Sequence, residues 1–389
     1  MDFTYDEEQR ALREAVRGLV GKAYADFENR RRTVAEDPGF AEDLWGRLSE
    51  MGVLGLPFSE EDGGMGAGPI EVGIVATELG RVLAPEPFLT SVVLAGGLVA
   101  AAGSAEQRTD VLGALASGES VLAFAHAEPG ARWMPTASAV TATDNGSSWS
   151  LSGVKEPVPH GARADRLVVS ATLLDGSSTG SGRPGTGLFL VDPAADGVTR
   201  HGYTTHDGGR AARIAFDAAP AAPLGEAGQD RTPEIARALD AARIAACNEA
   251  IGAMQFSLEA TTAYLKSRKQ FGVTLNAFQA LNFRAADLYV SLELATSVAA
   301  WATMVLAEKS GDEVSDAAAR AGLQVSRAGR HIGQEAIQLH GGIGMTAEYS
   351  IGNYTSHLTA LDHLLGDGHH HLGRLAAEVG DHAEVDPLP

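Results

Sequence analysis

The sequence of 389 residues has little of what several large classes of protein require. Its single cysteine, Cys247, excludes an intrachain disulfide and a thiolate metal cluster. Thirty basic residues against fifty acidic ones give a net charge of −20, which argues against binding to nucleic acid or anionic membranes. The acidic start lacks a secretory signal, and the apolar run 91–102 is too short to cross a bilayer. We therefore expect a cytoplasmic protein with no membrane partner.

Hydrophobic periodicity divides the chain into three regions. Residues 1–118 are predicted to be helical, residues 119–228 to form a β-barrel or sheet, and residues 229–389 to form a helical bundle. One long buried helix is predicted in the third region, because apolar residues recur there at intervals of three and four: Ile244, Cys247, Ile251, Met254 and Leu258. The predicted fold class is therefore α+β with three domains.

Two motifs in the third region are candidates for ligand binding. YLKSRKQFG at 264–272 places cations at the end of a helix, where Arg268 could grip an anion, although the same cluster would serve as a helix cap. AIQLHGGIGMTAEYS at 336–350 has glycines that allow a ligand to approach the backbone, or that simply form a tight turn. Neither motif is specific when it is taken alone.

Two further motifs lie in the β region. LAFAHAEPGARW at 122–133 and LSGVKEPVPHGARADRLVV at 151–169 each combine a strand with a Gly- and Pro-containing segment. They could form one wall of a pocket, and they are equally compatible with two ordinary loops of a β-domain.

Taken together and in order along the chain, these motifs resemble those of the acyl-CoA dehydrogenase family over nearly the whole sequence. The resemblance implies a C-terminal four-helix bundle and an FAD cofactor. It also implies oxidation of an acyl-CoA thioester between Cα and Cβ, with an electron-transfer flavoprotein as electron acceptor. A carboxylate removes the α-proton while hydride passes to the flavin. Family members are usually tetramers in which each FAD lies across a subunit interface, and no metal is implied.

The family's residues for the pyrophosphate and adenosine end of FAD, which a neighbouring subunit supplies, are all matched here. Arg268 and Phe271 match the RxxFG motif, and the Gln of the FQ motif is Gln279. The QxxGG motif is matched by Gln338, Gly341 and Gly342. The resemblance implies that these six residues bind the cofactor.

The residues expected around the flavin ring are not matched. Trp133 stands where a hydroxyl residue is usual, Pro157 where an aromatic ring covers the flavin, and Pro159 where a hydroxyl and an amide contact it. Proline has no N–H to donate. These differences put binding of the ring by this chain in doubt.

The family's catalytic base is also missing from both of its usual positions. Leu365 stands at the usual Glu position, and Ala242, before Arg243, stands at the alternative one. Asp367 is the nearest replacement, and Asp240 is a second. Apart from these two aspartates, no intact catalytic residue is predicted.

The residues for one half of the FAD site are matched, whereas those for the flavin ring and the base are not. This difference leads to the hypothesis that the chain is a partner subunit in an α2β2 dehydrogenase and completes the FAD site of a catalytic paralogue. Such pairs occur in actinobacteria, where several act on steroid side-chain CoA thioesters. A homotetramer that uses Asp367 as its base is one alternative, and a flavin-free scaffold is another. The adjacent His369, His370 and His371 cannot all face one ion from a helix, so we expect them to begin the last helix, with Asp367 as its N-cap.

Overall fold

Helices, then strands, then helices follow one another along the chain in the computed structural model, which describes residues 4–174 and 184–381. This order confirms the predicted α+β fold. The chain forms two compact units. One comprises Met1–Arg17, Ala76–Leu83 and Arg243–Pro389, and the other comprises Gly18–Val75 and Ala84–Ala242. The domain ranges 1–118, 119–228 and 229–389 follow the secondary structure and stay a prediction.

The N-terminal helices show the expected signals at their ends. The first turn of α1 is acidic, and α6 begins with a reciprocal capping box between Ser104 and Gln107. A π-helical stretch, Phe88–Gly96, leads directly into α5. The helices are α1 (Glu7–Ala23), α2 (Phe27–Ala35), α3 (Glu42–Glu50), α4 (Pro69–Val82), α5 (Gly97–Ala102) and α6 (Ala105–Ala116).

Seven strands form one sheet around an apolar core. They are β1 (Leu122–Ala125), β2 (Thr141–Asp144), β3 (Trp149–Pro159), β4 (Arg166–Leu173), β5 (Thr186–Val191), β6 (Val198–Thr204) and β7 (Arg210–Pro223). The strand order is β1-β4-β2-β3-β7-β5, β6 pairs with β7, and the pairing of β4 with β5 closes a ring. The sheet is therefore a barrel, filled by buried side chains such as Leu151, Val169 and Ile214.

Long helices make up the C-terminal region. The predicted seam of α7 is confirmed, since every residue from Ile244 to Leu258 that was assigned to it is buried. A short hairpin, β8 (Lys269–Gln270) and β9 (Val273–Thr274), separates α7 from α8. The helices are α7 (Thr232–Ser267), α8 (Gln279–Glu308), α9 (Asp312–His340), α10 (Ile351–Leu364) and α11 (Gly368–Glu378).

Helix α8 is apolar yet largely uncovered by its own chain. Only 28% of its most apolar stretch of 18 residues is buried, and by length and composition alone it could cross a membrane. Four of its large apolar side chains are more than half exposed: Phe283, Tyr289, Val290 and Leu294.

Candidate functional site

The hairpin after α7 presents two of the predicted residues to solvent. Its turn residues, Phe271 and Gly272, both have positive φ, +53° and +80°. Such turns usually carry Asn-Gly, and a phenylalanine in this conformation costs about 1 kcal/mol. Burial does not offset that cost, because Phe271 is 92% exposed. Arg268 precedes the hairpin and is also exposed. A strained, exposed aromatic side chain beside a cation is a candidate contact for a molecule outside this chain.

The C-terminus of α9 offers open backbone. Gly341 ends the helix with a φ of +66°, and a Cβ added at Gly341 or Gly342 would meet nothing within 4 Å. Both glycines and Gln338 are exposed. A ligand can therefore approach the backbone here more closely than it could approach a residue with a side chain.

Contacts between helices bring these chain segments to one end of the C-terminal region. Near the start of α8, Arg284 Nε donates to Glu335 Oε2 of α9 at 2.6 Å. The rings of Tyr264 on α7 and His340 on α9 lie 4.6 Å apart. A cation, an exposed ring and sterically accessible glycine backbone together suit an anionic ligand. We call the six predicted residues the helix-end set: Arg268, Phe271, Gln279, Gln338, Gly341 and Gly342.

In the β-domain, a buried ion pair joins the two motifs. Lys155 Nζ lies 2.8 Å from Glu128 Oε1, and these side chains are 0% and 3% exposed. Lys155 also donates to His126 O and Ser170 Oγ, which gives each of its three protons a partner. Burial alone would raise the pKa of Glu128, but Lys155 and hydrogen bonds outweigh it and lower that pKa to about 2. Further donors to Glu128 are the backbone N–H groups of Ser138, Ala139 and Val140 and the Ser138 hydroxyl.

The segments beside this ion pair carry the residues that depart from the family pattern. Trp133 is half-buried and has a φ of +66°. Pro157 and Pro159 lie in β3, and Pro159 pairs opposite Ala211 of β7. Neither proline offers an N–H, so β3 cannot donate to a ligand at these positions.

The position expected for the catalytic base is occupied by an apolar side chain. Leu365 is 8% exposed, and its carbonyl accepts a hydrogen bond from Arg243 Nε at 2.8 Å. Asp367 is the N-cap of α11, since its carboxylate accepts the His370 N–H at 2.8 Å, as predicted. Burial would raise the pKa of Asp367, but the His370 N–H and neighbouring histidines outweigh it and lower that pKa. A capping carboxylate with a lowered pKa is a poor proton acceptor.

A small cavity of about 50 Å³ adjoins Leu365 and contains polar groups that the sequence analysis missed. Asp362, one helical turn before Leu365 on α10, lines it together with Cys247 and His371. Burial, with Asp362 nearby, raises the pKa of Cys247 to about 12, and burial together with Arg243 lowers the pKa of His371 to about 4. The thiol and the imidazole are therefore uncharged near neutral pH. Asp362 lies three residues before Leu365, a spacing that brings two residues to the same side of a helix. This spacing could have identified Asp362 as a candidate from the sequence.

Comparison with known families matches both helical regions of the chain. The model described as the acyl-CoA dehydrogenase N-terminal domain matches residues 6–119. The model described as the acyl-CoA dehydrogenase C-terminal domain matches residues 233–380, a range that contains the whole helix-end set.

Individual relatives match almost from end to end. The acyl-CoA dehydrogenase IpdE2 of Mycobacterium tuberculosis is 33% identical over 381 residues, covering 97% of this chain and 99% of that protein. A variant of the steroid acyl-CoA dehydrogenase Tcur3481–Tcur3483 is 31% identical, with a TM-score of 0.86 over 96% of this chain and 98% of that chain. The ChsE4–ChsE5 complex of M. tuberculosis is 26% identical, with a TM-score of 0.87 over 99% and 100%. This chain therefore belongs to the acyl-CoA dehydrogenase family of oxidoreductases.

Proposed function

We propose that this chain is a subunit of a heteromeric, FAD-dependent acyl-CoA dehydrogenase. It contributes the pyrophosphate and adenosine half of the FAD site, and a paralogous subunit supplies the flavin-ring pocket and the catalytic Glu. The observation that carries the proposal is the contrast between the two halves. The helix-end set is complete and exposed, whereas the positions around the flavin ring and the base hold Trp133, Pro157, Pro159 and Leu365.

The helix-end set suits one end of FAD. Arg268 would provide a planar cation for pyrophosphate oxygens, and Gly341 and Gly342 would present backbone to the same linker. Phe271 would lay its exposed ring against the cofactor. When bound, FAD accepts the hydride that leaves the β-carbon. The flavin ring does not suit the β-domain of this chain, because Pro157 replaces the aromatic residue that usually covers it and Pro159 replaces the hydroxyl and N–H that usually contact it.

The exposed face of α8 supports assembly with another subunit. Its apolar residues alternate with Arg284, Asp287 and Glu293, a mixture that suits a protein interface better than lipid. Several large apolar side chains exposed on one helix of a folded chain indicate an interaction site.

The relatives support a paired assembly and a substrate class. ChsE4–ChsE5 is a complex of two different proteins. Tcur3481–Tcur3483 likewise combines two proteins and is a steroid acyl-CoA dehydrogenase. We extend both properties to this chain as part of the proposal: a paralogous partner, and the CoA thioester of a steroid side chain as substrate. An electron-transfer flavoprotein would reoxidise the flavin.

The test is to purify the chain alone and with its paralogue, and to measure bound FAD and acyl-CoA oxidation. We expect little FAD and no turnover from the chain alone, and both from the assembly. In the assembly, Arg268→Ala should lower FAD affinity about 10- to 100-fold, because charge-assisted hydrogen bonds to phosphate are lost. Lys266→Ala, which removes an exposed cation two residues earlier, is the matched control. One FAD per chain with turnover from the isolated chain would overturn the proposal.

A homotetramer with its own base is a second candidate, because Asp362 lines the cavity beside Leu365 and Arg243. It predicts that the isolated chain turns over and that Asp362→Asn or Asp367→Asn abolishes activity. The proposed heteromer instead predicts that neither substitution changes turnover of the assembly. A colourless assembly that is otherwise well folded would favour a flavin-free scaffold.

A further inference from the structure

Next to the helix-end set, an imidazole packs against two phenol rings that also contact each other, with 6.3 Å between the centroids of Tyr264 and Tyr349. The ring centroid of His340 is 4.6 Å from that of Tyr264 and 4.9 Å from that of Tyr349, with tilts of 30° and 48°. His340 is 3% exposed, although it immediately precedes the exposed Gly341. The three rings form one cluster, in which His340 is buried and the two tyrosines are partly buried.

The protonation state of the imidazole follows from its hydrogen bond. His340 Nδ1 lies 2.7 Å from Ala336 O, and because a carbonyl can only accept, Nδ1 carries the hydrogen. Burial lowers the pKa of His340, so the ring is neutral near pH 7 and Nε2 is left as an acceptor. Nε2 is buried and has no hydrogen-bond partner among the residues that the structure describes. Leaving an acceptor unpartnered carries a cost, which an apolar side chain at this position would avoid.

The cluster of three rings connects the segments that carry the helix-end set. Tyr264 lies one helical turn before Arg268, and its carbonyl accepts the Arg268 N–H at 2.8 Å. His340 is followed at once by Gly341 and Gly342. On the far side of this glycine turn, Gly344 packs so closely that a Cβ added there would lie 3.1 Å from His340 Cβ. His340 therefore links the segment of Arg268, through its ring contact with Tyr264, to the glycine turn that follows it in the chain.

We propose that His340 is a positioning residue for the dinucleotide: packed against Tyr264 and Tyr349 in one ring cluster, it sets the distance between Arg268 and the Gly341–Gly342 turn. The inference rests on the proposed function, since it concerns the FAD affinity that this chain lends to its partner. The Nδ1 hydrogen bond to Ala336 fixes the rotation of the ring, and the two phenol rings fix its plane. No contact between His340 and the cofactor is required.

The experiment titrates FAD into the flavin-stripped assembly of this chain with its paralogue. His340→Ala should raise the FAD dissociation constant at least about tenfold, and His340→Phe, which restores a ring, should recover it to within about threefold of wild type. Leu339→Ala is the matched control, because it removes a buried side chain of the same helix at the adjacent position and leaves all three rings in place. Urea midpoints of all variants separate affinity from folding.

A double-mutant cycle tests the positioning role itself. In an Arg268→Ala background, His340→Ala should cost less than about threefold further, because the arginine that it positions is gone. Equal FAD affinity of wild type and His340→Ala, or the same loss in Leu339→Ala, would overturn the inference and leave the proposed function standing. A folded wild-type assembly that binds no FAD would instead refute the proposed function, and the inference with it.

Discussion

The helix-end set and the β-domain motifs correspond to the two halves of the family's cofactor site. They differ in whether their side chains face solvent or partners inside the chain. The helix-end set is exposed, includes the strained Phe271, and rests on aromatic rings. The β-domain motifs are fastened by Lys155 and Glu128, whose polar atoms are partnered inside the chain. The framework of the second region is therefore intact, although its ligand-facing positions have changed. Under the proposed function, the chain keeps the fold of the flavin-ring half without the residues that usually contact the ring.

The largest expected effect comes from breaking that framework. Lys155→Met would leave the Glu128 carboxylate buried without its cation, and such losses cost about 3–5 kcal/mol. We expect the free energy of unfolding, measured by urea denaturation, to fall by this amount. Arg213→Met is the matched control, because Arg213 and Glu156 form an exposed pair at 2.9 Å on the same barrel, where about 1 kcal/mol or less is expected. Equal effects of the two substitutions would show that the buried pair does not hold the motifs in place.

A second buried glutamate sharpens the contrast with Glu128. Glu86 Oε1 accepts from the Tyr24 hydroxyl at 2.6 Å and the Ala41 N–H at 3.2 Å, but Oε2 is buried with no partner among the described residues. Burial therefore dominates and raises the pKa of Glu86 to about 7, the opposite of the shift at Glu128. The same residue type is stabilised as a charge in one place and as a neutral acid in the other, because only one of them has a cation and several amides as partners.

The pKa shift of Glu86 predicts how stability depends on pH. A raised folded-state pKa favours the folded protein fully below about pH 4.5, and this advantage is lost as pH rises to about 7. The loss amounts to about 3 kcal/mol by pH 8. Glu86→Gln should remove this part of the slope, as measured by urea midpoints from pH 4.5 to 8. The exposed Glu60→Gln serves as control, and an unchanged slope in Glu86→Gln would contradict the assignment.

How far the sequence predicts the structure depends on whether the signal is local. The seam of α7 and the cap at Asp367 were correct, because periodicity and capping depend on residues close in sequence. The alternating pattern predicted a β region without individual strand bounds, and β6, which has no buried residue, gives no such pattern. The Lys155–Glu128 pair joins residues 27 apart, and no spacing rule predicts it. Asp362 was missed because its role depends on a cavity shared by several helices.

The smallest expected effect tests whether the exposed turn trades stability for binding. Phe271→Asn should stabilise the chain by about 0.5–1 kcal/mol, because asparagine tolerates positive φ and Asn-Gly is favoured in this turn. The 92% exposure of Phe271 means that little burial is lost. Phe271→Ala is the control, since alanine gains no such tolerance. In the proposed assembly both variants should weaken FAD binding severalfold. Identical urea midpoints for Phe271→Asn and Phe271→Ala would mean that the phenylalanine is not strained. The contrast between the helix-end set and the region of the Lys155–Glu128 pair would then rest on exposure alone.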